Sequence, residues 1–317
     1  MRMQSNTTIS RRNLFSLAGG ALAAAALPRQ TWAAHGFPVG IQLYTVNDDL
    51  MKDTAGTLKK IAQIGYTEVE TAGWGTLSAA QFRDLLRDVG LRAPSAHLSF
   101  GMQDTGKLLD DAKTLGVEYV VSSVLAPNGL PKSLQDHKEM QEFFKSVDSM
   151  SADDFRRTAA KANEIGQQAK TAGLKYAYHN HNFEFRDLGG GKTGYEILLL
   201  ETDPSLVKFE ADCGWMKVAG KDPIDYLTRH SDRFAMLHIK DFKNITKPVT
   251  TLMSLMSPDT LTPTELGRGS IDLKPIVEAG LKAGVTHIFV EQEAPFKEVP
   301  AMEAAEIDYR VLKSLLG

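Results

Sequence analysis

From residue 38 onward, short apolar runs alternate with longer stretches in which apolar positions recur at helical spacing. The runs cover residues 39–46, 66–72, 92–100, 119–125, 175–182, 207–215, 234–242 and 287–293 and read as strands. The helical stretches between them start near Asp53, Ser78, Asp104, Ser151, Thr193, Asp222 and Asp272, and a last one follows Val299. Ser, Thr and Asp are favoured at helix N-caps because their side-chain oxygens accept otherwise orphaned backbone N–H groups. Gly65, Gly90, Gly116, Gly173 and Gly284 come just before strands, where helices commonly end. Eight strand–helix pairs in about 280 residues predict a single α/β domain, a (β/α)8 TIM barrel over residues 34–317. No glycine-rich phosphate fingerprint follows the first run, which argues against a doubly wound open sheet.

Two longer connections, 126–150 and 243–265, follow the fourth and seventh runs. Both fall at strand C-termini, the face on which barrels keep their active sites. Their Pro, Ser and Met content suits lid loops and equally suits surface decoration.

Side chains alternate across a strand, so residues of like parity share a face. His179 and His181 pair in this way, as do Glu210 with Asp212, His238 with Lys240, and Glu291 with Glu293. The opposite parity is mostly apolar, for example Phe209 with Ala211, Leu237 with Ile239, and Ile288 with Val290. The apolar face should meet the helices, which leaves the ionisable set facing the barrel axis. Charges pointing inward are costly unless they are paired or bound to metal. Four strands ending in His, Asp or Glu therefore predict a site for one divalent metal. Mixed N and O donors suit Mn, Co, Fe, Zn or Mg without choosing among them.

Composition narrows the picture. With 43% hydrophobic and 24% charged residues the chain is not a disordered one. One cysteine excludes an intrachain disulfide, a cysteine-based zinc site and an iron–sulfur cluster. Residues 1–33 join the paired Arg11-Arg12 to a short Ala-rich apolar run and Thr31-Trp32-Ala33. This is the layout of a twin-arginine export signal cut after Ala33, and the apolar run is too short for a membrane span. The protein is expected to be exported to the periplasm, with no stable membrane span once the signal is removed. That segment holds Arg2, Arg11, Arg12 and Arg29 and no acid, so its removal takes the net charge from -3 to -7. An acidic mature chain gives no reason to expect a nucleic-acid partner.

The segments Gly40-Ile-Gln-Leu-Tyr44, Gly65-Tyr-Thr-Glu-Val-Glu70, Tyr178-His-Asn-His-Asn-Phe-Glu184, Asp212-Cys-Gly-Trp215, Leu237-His-Ile-Lys-Asp241, Leu266-Gly-Arg-Gly-Ser-Ile-Asp272 and Val290-Glu-Gln-Glu293 span nearly the whole mature chain. Together they resemble the xylose isomerase-like TIM barrels, a superfamily of sugar (phosphate) isomerases and epimerases, inosose dehydratase and endonuclease IV. The resemblance implies metal ligands at Asp212, His238 and Glu291. Many members carry a glutamate where this chain has His179, which makes His179 the fourth ligand. Many also carry a histidine where this chain has Trp215. Epimerases of this group use two metal-bound glutamates as bases, and one of them is replaced here. Members often form dimers or tetramers, so a homo-oligomer is an open expectation.

Around that set, His181 is a candidate general base, since a neutral imidazole suits proton abstraction near neutral pH, and Glu291 is the alternative base. Glu184 is placed to orient His181 or His179, or to touch substrate. Lys240 is a candidate oxyanion stabiliser, or a neutraliser of Glu210 or Glu293. His97, Trp215, Arg268 and Glu293 are candidate substrate-binding residues. Cys213 reads as buried packing. The substrate class is a small sugar or sugar derivative. The chemistry is removal of a proton α to a carbonyl. Its outcome is isomerisation or epimerisation first, elimination by a lyase or dehydratase second, and a non-catalytic sugar-binding barrel third.

Overall fold

The computed structural model describes residues 36–126, 137–253 and 261–317. The expected signal at 1–33 lies outside the described residues, as do parts of both long connections. Eight parallel strands close a barrel: β1 (Gly40–Gln42), β2 (Glu68–Thr71), β3 (Arg92–His97), β4 (Tyr119–Ser122), β5 (Lys175–His179), β6 (Val207–Asp212), β7 (Phe234–Ile239) and β10 (His287–Val290), the last pairing back with β1. Strands β8 (Asp241–Lys243) and β9 (Thr262–Thr264) form a separate antiparallel pair in the second long connection. The (β/α)8 barrel expected from the alternation of runs is the architecture observed.

Local chemistry sets where the helices begin. The side chains of Asp53, Ser78, Asp104, Ser151, Thr193 and Asp222 each accept a backbone N–H at the start of the helix that follows. Ser78, Ser151 and Thr193 complete reciprocal capping boxes with Gln81, Asp154 and Glu196. Each such cap stabilises its helix by about 1 kcal/mol relative to alanine.

The barrel interior is layered. Val121, Ala177, Met236 and Phe289 pack together inside it. A Cβ on Gly40 would lie 2.4 Å from the Phe289 ring, so glycine on β1 makes room for that ring. Two residues further along β5 and β7, the same inward face presents His179 and His238, and Glu291 follows two residues after Phe289. Register then sets their neighbours: His179 is level with Glu210, and Asp212 with His238.

The strands are shorter than the runs that predict them, and in three of them a polar side chain captures a nearby N–H that would otherwise continue the extended chain. Gln42 accepts the Tyr44 N–H at 3.0 Å and turns Leu43–Val46 into a 3-10 helix. Glu184 accepts the His181 N–H at 3.0 Å, so β5 ends at His179. Asp212 accepts the Trp215 N–H at 2.7 Å and starts a helix at Cys213–Val218. His181 and Trp215 are therefore positioned by rim turns and not by strand parity.

The long connections have structure of their own. The first carries the helix His137–Asp148, and the second contributes β9. Asn182, next to His181, donates to the carbonyls of Val249 and Thr251 at 3.1 Å each, which fastens the second connection beside the site. No helix among the described residues is long and apolar enough to cross a membrane.

Candidate metal and substrate site

At the C-terminal mouth of the barrel the inward side chains form two levels. The upper level holds His179, Asp212, His238 and Glu291, whose donor atoms lie within 4.8 Å of one another. His179 Nε2 is 3.7 Å from Asp212 Oδ2, and His238 Nδ1 is 2.8 Å from Glu291 Oε2. This is the ligand set expected from the sequence. A deeper group, His97, His179, Glu210 and His238, also meets the spacing for a cation. Glu70 adjoins it: its Oε2 is 2.6 Å from His238 Nε2, 3.1 Å from His97 Nε2, and accepts from Gln42 at 2.9 Å.

The donor set fits a divalent ion. Two imidazoles and two carboxylates, all buried, come from four different strand ends, and Asp212 Oδ2 has no hydrogen-bond partner among the described residues. The Lys240 ammonium lies 3.0 Å from that oxygen and 2.7 Å from Glu291 Oε2, and it also contacts Glu293. An ion held by Asp212 and Glu291 would compete with the ammonium for those two oxygens and leave it to Glu293.

Electrostatics separates the groups into roles. Burial works against the Lys240 charge, but Asp212, Glu291 and Glu293 hold it protonated. Burial also opposes the Glu291 charge, yet Lys240 and His238 keep it ionised. Burial pushes Asp212 up to about 6. His181 goes the other way: burial first, then the nearby Lys240 charge, brings it down to about 3, so its imidazole is neutral. His97 is opposed by burial but is raised to about 10 by Glu70 and Glu210, and it carries a charge.

The expected site residues are largely brought together. The His181 ring centroid is 5.1 Å from that of His179 and 6.1 Å from that of Trp215. Its Nδ1 is buried and without a hydrogen-bond partner among the described residues. Trp215 is buried and donates its indole N–H to Glu293 at 3.1 Å, with Lys240 Nζ 5.4 Å from its ring centroid. It forms an apolar wall between His181 and Lys240. Glu184 is buried behind His181, holding its N–H and accepting the Tyr178 hydroxyl at 3.0 Å. It positions His181 and is not exposed to a ligand. Burial pushes its carboxyl up to about 8.

The other two expected substrate-binding residues are placed differently: the His97 ring lies 5.0 Å from that of His179 and 5.5 Å from that of His238, beside the ligand set, and Arg268 lies on a loop. His97 places its Nε2 between Glu210 at 2.9 Å and Glu70 at 3.1 Å, in the floor of the site. Arg268 pairs with Glu265 at 3.3 Å and Glu298 at 3.5 Å, on a loop whose Gly267 and Gly269 N–H groups are held by Asp241. No contact joins it to the ligand set among the described residues. Cys213 is buried, as expected.

Glu70 and Glu210 were not among the expected site residues. Both lay in runs already read as strands, and Glu210 shares parity with Asp212. The signal for Glu70 was a second glutamate two residues after Glu68. That spacing does not reveal that Glu68 pairs with His287 at the opposite end of the barrel while Glu70 meets the site.

Comparison with known proteins agrees with the fold. A family model described as Xylose isomerase-like TIM barrel matches residues 58–315. Inosose dehydratase of Lacticaseibacillus casei is 32% identical over 148 residues, covering 44% of this chain and 48% of that protein. The chain thus aligns with about half the length of such curated relatives. A sugar phosphate isomerase/epimerase structure from Parabacteroides distasonis is 22% identical with a TM-score of 0.68, covering 92% of this chain and all of that one. A structure of the IOLI protein with a bound zinc atom is 18% identical with a TM-score of 0.61, covering 88% of this chain and 98% of that one.

Proposed function

This chain belongs to the xylose isomerase-like TIM barrel family, and from that premise we propose that it is a metal-dependent lyase or dehydratase acting on an unphosphorylated keto-sugar or ketocyclitol. The observation that carries this reading is the pairing, across Trp215, of a neutral base with a fixed cation. His181 is uncharged with an unpartnered buried ring nitrogen, and Lys240 is an ammonium held by three carboxylates.

His181 takes the proton α to the substrate carbonyl. Lys240 stabilises the negative charge that develops on oxygen, as a preorganised cation in a site screened from water. Collapse of that enolate breaks the C–O bond at the β carbon, and the proton taken by His181 passes to the departing oxygen, which leaves as water or an alcohol. Trp215, fully buried, backs His181 and Lys240, and Glu293 holds both Trp215 and Lys240 in place. His179, Asp212, His238 and Glu291 would hold a divalent ion (Mn, Co, Fe, Zn or Mg), whose contribution when bound would be Lewis-acid polarisation of the carbonyl.

Three points favour elimination over epimerisation. The paired glutamate bases of the epimerases are not both present, since β5 ends in His179. The bases flanking the site differ in kind, one imidazole and one carboxylate held by a lysine. Curated relatives carry the name inosose dehydratase. The unphosphorylated substrate follows from charge. Lys240 and Arg268, the cations expected near the site, are each engaged by carboxylates, and three further acids (Glu70, Glu210 and Glu293) border a ligand set that itself holds two, Asp212 and Glu291. A phosphate dianion would meet net repulsion there. Export through the signal at 1–33 belongs to the same reading, because free sugar phosphates are mostly cytoplasmic. Replacing Arg11 and Arg12 by lysine should retain the protein in the cytoplasm if that signal operates.

The second reading is sugar isomerisation or epimerisation, in which His181 returns the proton to the same intermediate. It is favoured by structural neighbours of that class. The test is product analysis in deuterium oxide with Mn or Co, using keto-sugars, ketocyclitols and keto-glycosides. Loss of water or of an aglycone supports the lyase. An intact, rearranged sugar carrying deuterium supports the isomerase and overturns the lyase. Saturable binding without turnover of any substrate leaves a sugar-binding barrel.

A further inference from the structure

We propose that Glu70 and Glu210 are positioning residues that set which nitrogen of each metal-facing histidine is available. The proposal rests on the reading of His179, Asp212, His238 and Glu291 as the metal site, and deepens it.

The geometry is complementary on the two rings. His179 Nδ1 is 3.0 Å from Glu210 Oε2, while its Nε2 faces Asp212. His238 Nε2 is 2.6 Å from Glu70 Oε2, while its Nδ1 faces Glu291. A carboxylate can only accept, so His179 donates from Nδ1 to Glu210 and keeps Nε2 for the upper level. His238, set between Glu70 and Glu291, donates from both nitrogens and would release the Nδ1 proton to an ion, its Nε2–H staying on Glu70. Gln42 donates to the same oxygen of Glu70 and fixes its orientation. His97 lies between the two acids, stacked on His238 with centroids 5.5 Å apart and planes within 4°. Its charge offsets two buried carboxylates that would otherwise repel each other. In the floor, one oxygen of each acid is tied to the histidines, with Gln42 on Glu70, while Glu70 Oε1 and Glu210 Oε1 have no hydrogen-bond partner among the described residues.

The deeper group of four possible ligands uses the opposite nitrogens of the same two histidines. Two ions at once would require both rings to lose both ring protons, which neutral imidazole resists. One ion must choose a level. Exposure does not separate the levels, since His97 of the deeper group is 13% exposed and Glu291 7%. The upper level is the one bordered by Lys240 and by the His181 ring, the groups placed to meet a substrate. A catalytic ion needs a coordination position that substrate can reach.

The experiment uses zinc alone as the probe, on the purified full chain freed of metal. Nitrogen-15 spectra of labelled histidines should show protonated Nδ1 on His179 before zinc is added. Zinc should then shift His179 Nε2 and His238 Nδ1. A shift at His179 Nδ1 and His238 Nε2 would place the ion in the deeper group and overturn the proposal. In parallel, Glu70→Gln and Glu210→Gln should each weaken zinc binding by about 10- to 100-fold. Unchanged affinity in either folded variant also overturns it. The wild-type spectra decide the matter even where a variant fails to fold. A wild-type chain that binds no zinc, manganese or cobalt fails differently: it removes the site reading itself, and the proposal with it.

Discussion

Asp148 and Leu252 lie 104 residues apart, in different insertions, yet Asp148 Oδ1 accepts the Leu252 N–H at 2.6 Å. Its other oxygen accepts the Met253 N–H at 3.0 Å. One carboxylate therefore latches the helix that follows β4 to the strap that follows β7. Asn182 fastens the same strap next to His181. Removing the latch should loosen the strap over the site and leave the barrel core untouched. Asp148→Ala should lower kcat/KM by about tenfold, corresponding to about 1.4 kcal/mol of lost positioning. Asp148→Asn keeps one acceptor and should lose less. Limited proteolysis mapped by mass spectrometry should show faster cleavage within 243–265 in the alanine variant. Cleavage and kinetics that match the wild type would mean the latch is decorative.

Lys240 invites a sharper separation of roles. It shares Asp212 and Glu291 with the expected ion, so removing it should not weaken metal binding. It also carries the cation expected to stabilise charge on substrate oxygen. Lys240→Met should cut kcat by about 100- to 1,000-fold, the usual loss when a preorganised charge-stabilising group is removed. Divalent-ion affinity, measured by calorimetry, should stay level or rise. The ion-free variant should melt below the ion-free wild type, because three carboxylates lose their counter-charge, and added manganese should recover that difference. A variant that loses metal binding in step with activity would assign Lys240 to holding the site together.

Much of this was legible in the chain, for identifiable reasons. Strand parity places Asp212, His238 and Glu291 on the inward face because β6, β7 and the start of the segment after β10 are regular up to those residues. N-caps such as Ser78 and Asp104 were legible because capping is a local hydrogen bond between neighbours. What was hidden depends on contacts across the barrel. Glu70 meets His238 across 168 residues, and nothing local to either announces the other. His97 looked like a rim histidine free for a sugar, and only the approach of Glu70 and Glu210 shows that its Nε2 is taken. The strand end at Asp212 was overextended because Cys213 and Trp215 continue the apolar content, and that at His179 because His181 repeats its parity, while Asp212 and Glu184 turn the backbone away.

The metal and the base can be told apart by variants that strike one and spare the other. His238→Ala and Asp212→Ala each remove a ligand, and the ion content of purified protein should fall from about one per chain to near zero. Chelation of the wild type should abolish turnover, with recovery on adding Mn, Co or Zn. His181→Gln removes the expected base without touching a ligand. It should keep the ion while kcat falls by about 100- to 10,000-fold, the range that general acid–base catalysis supplies. Elemental analysis beside kinetics checks both. An ion-free His181 variant would move that residue into the ligand set.

Asp308 carries a stability prediction away from the site. It is fully buried, one oxygen accepts the Leu266 N–H at 2.7 Å, and the other has no partner among the described residues. Burial, aided by Glu265 and Asp241, pushes its carboxyl up to about 8. The native state therefore keeps this proton at neutral pH, while the unfolded chain has released it above an ordinary pKa of about 4. A native state that binds more protons loses stability as pH rises, here between about 4 and about 8. Three pH units at about 1.4 kcal/mol each bound the loss by pH 7 at about 4 kcal/mol. Charge relaxation should bring the measured value nearer 1–3 kcal/mol, or several degrees in Tm for a domain of this size. Asp308→Asn keeps the acceptor for Leu266 and cannot ionise. Its Tm should exceed that of the wild type at pH 8, and the gap should close by about pH 3, below the unfolded pKa of about 4, where the wild-type acid is protonated in both states. A constant difference across that range would show that the proton on Asp308 plays no part.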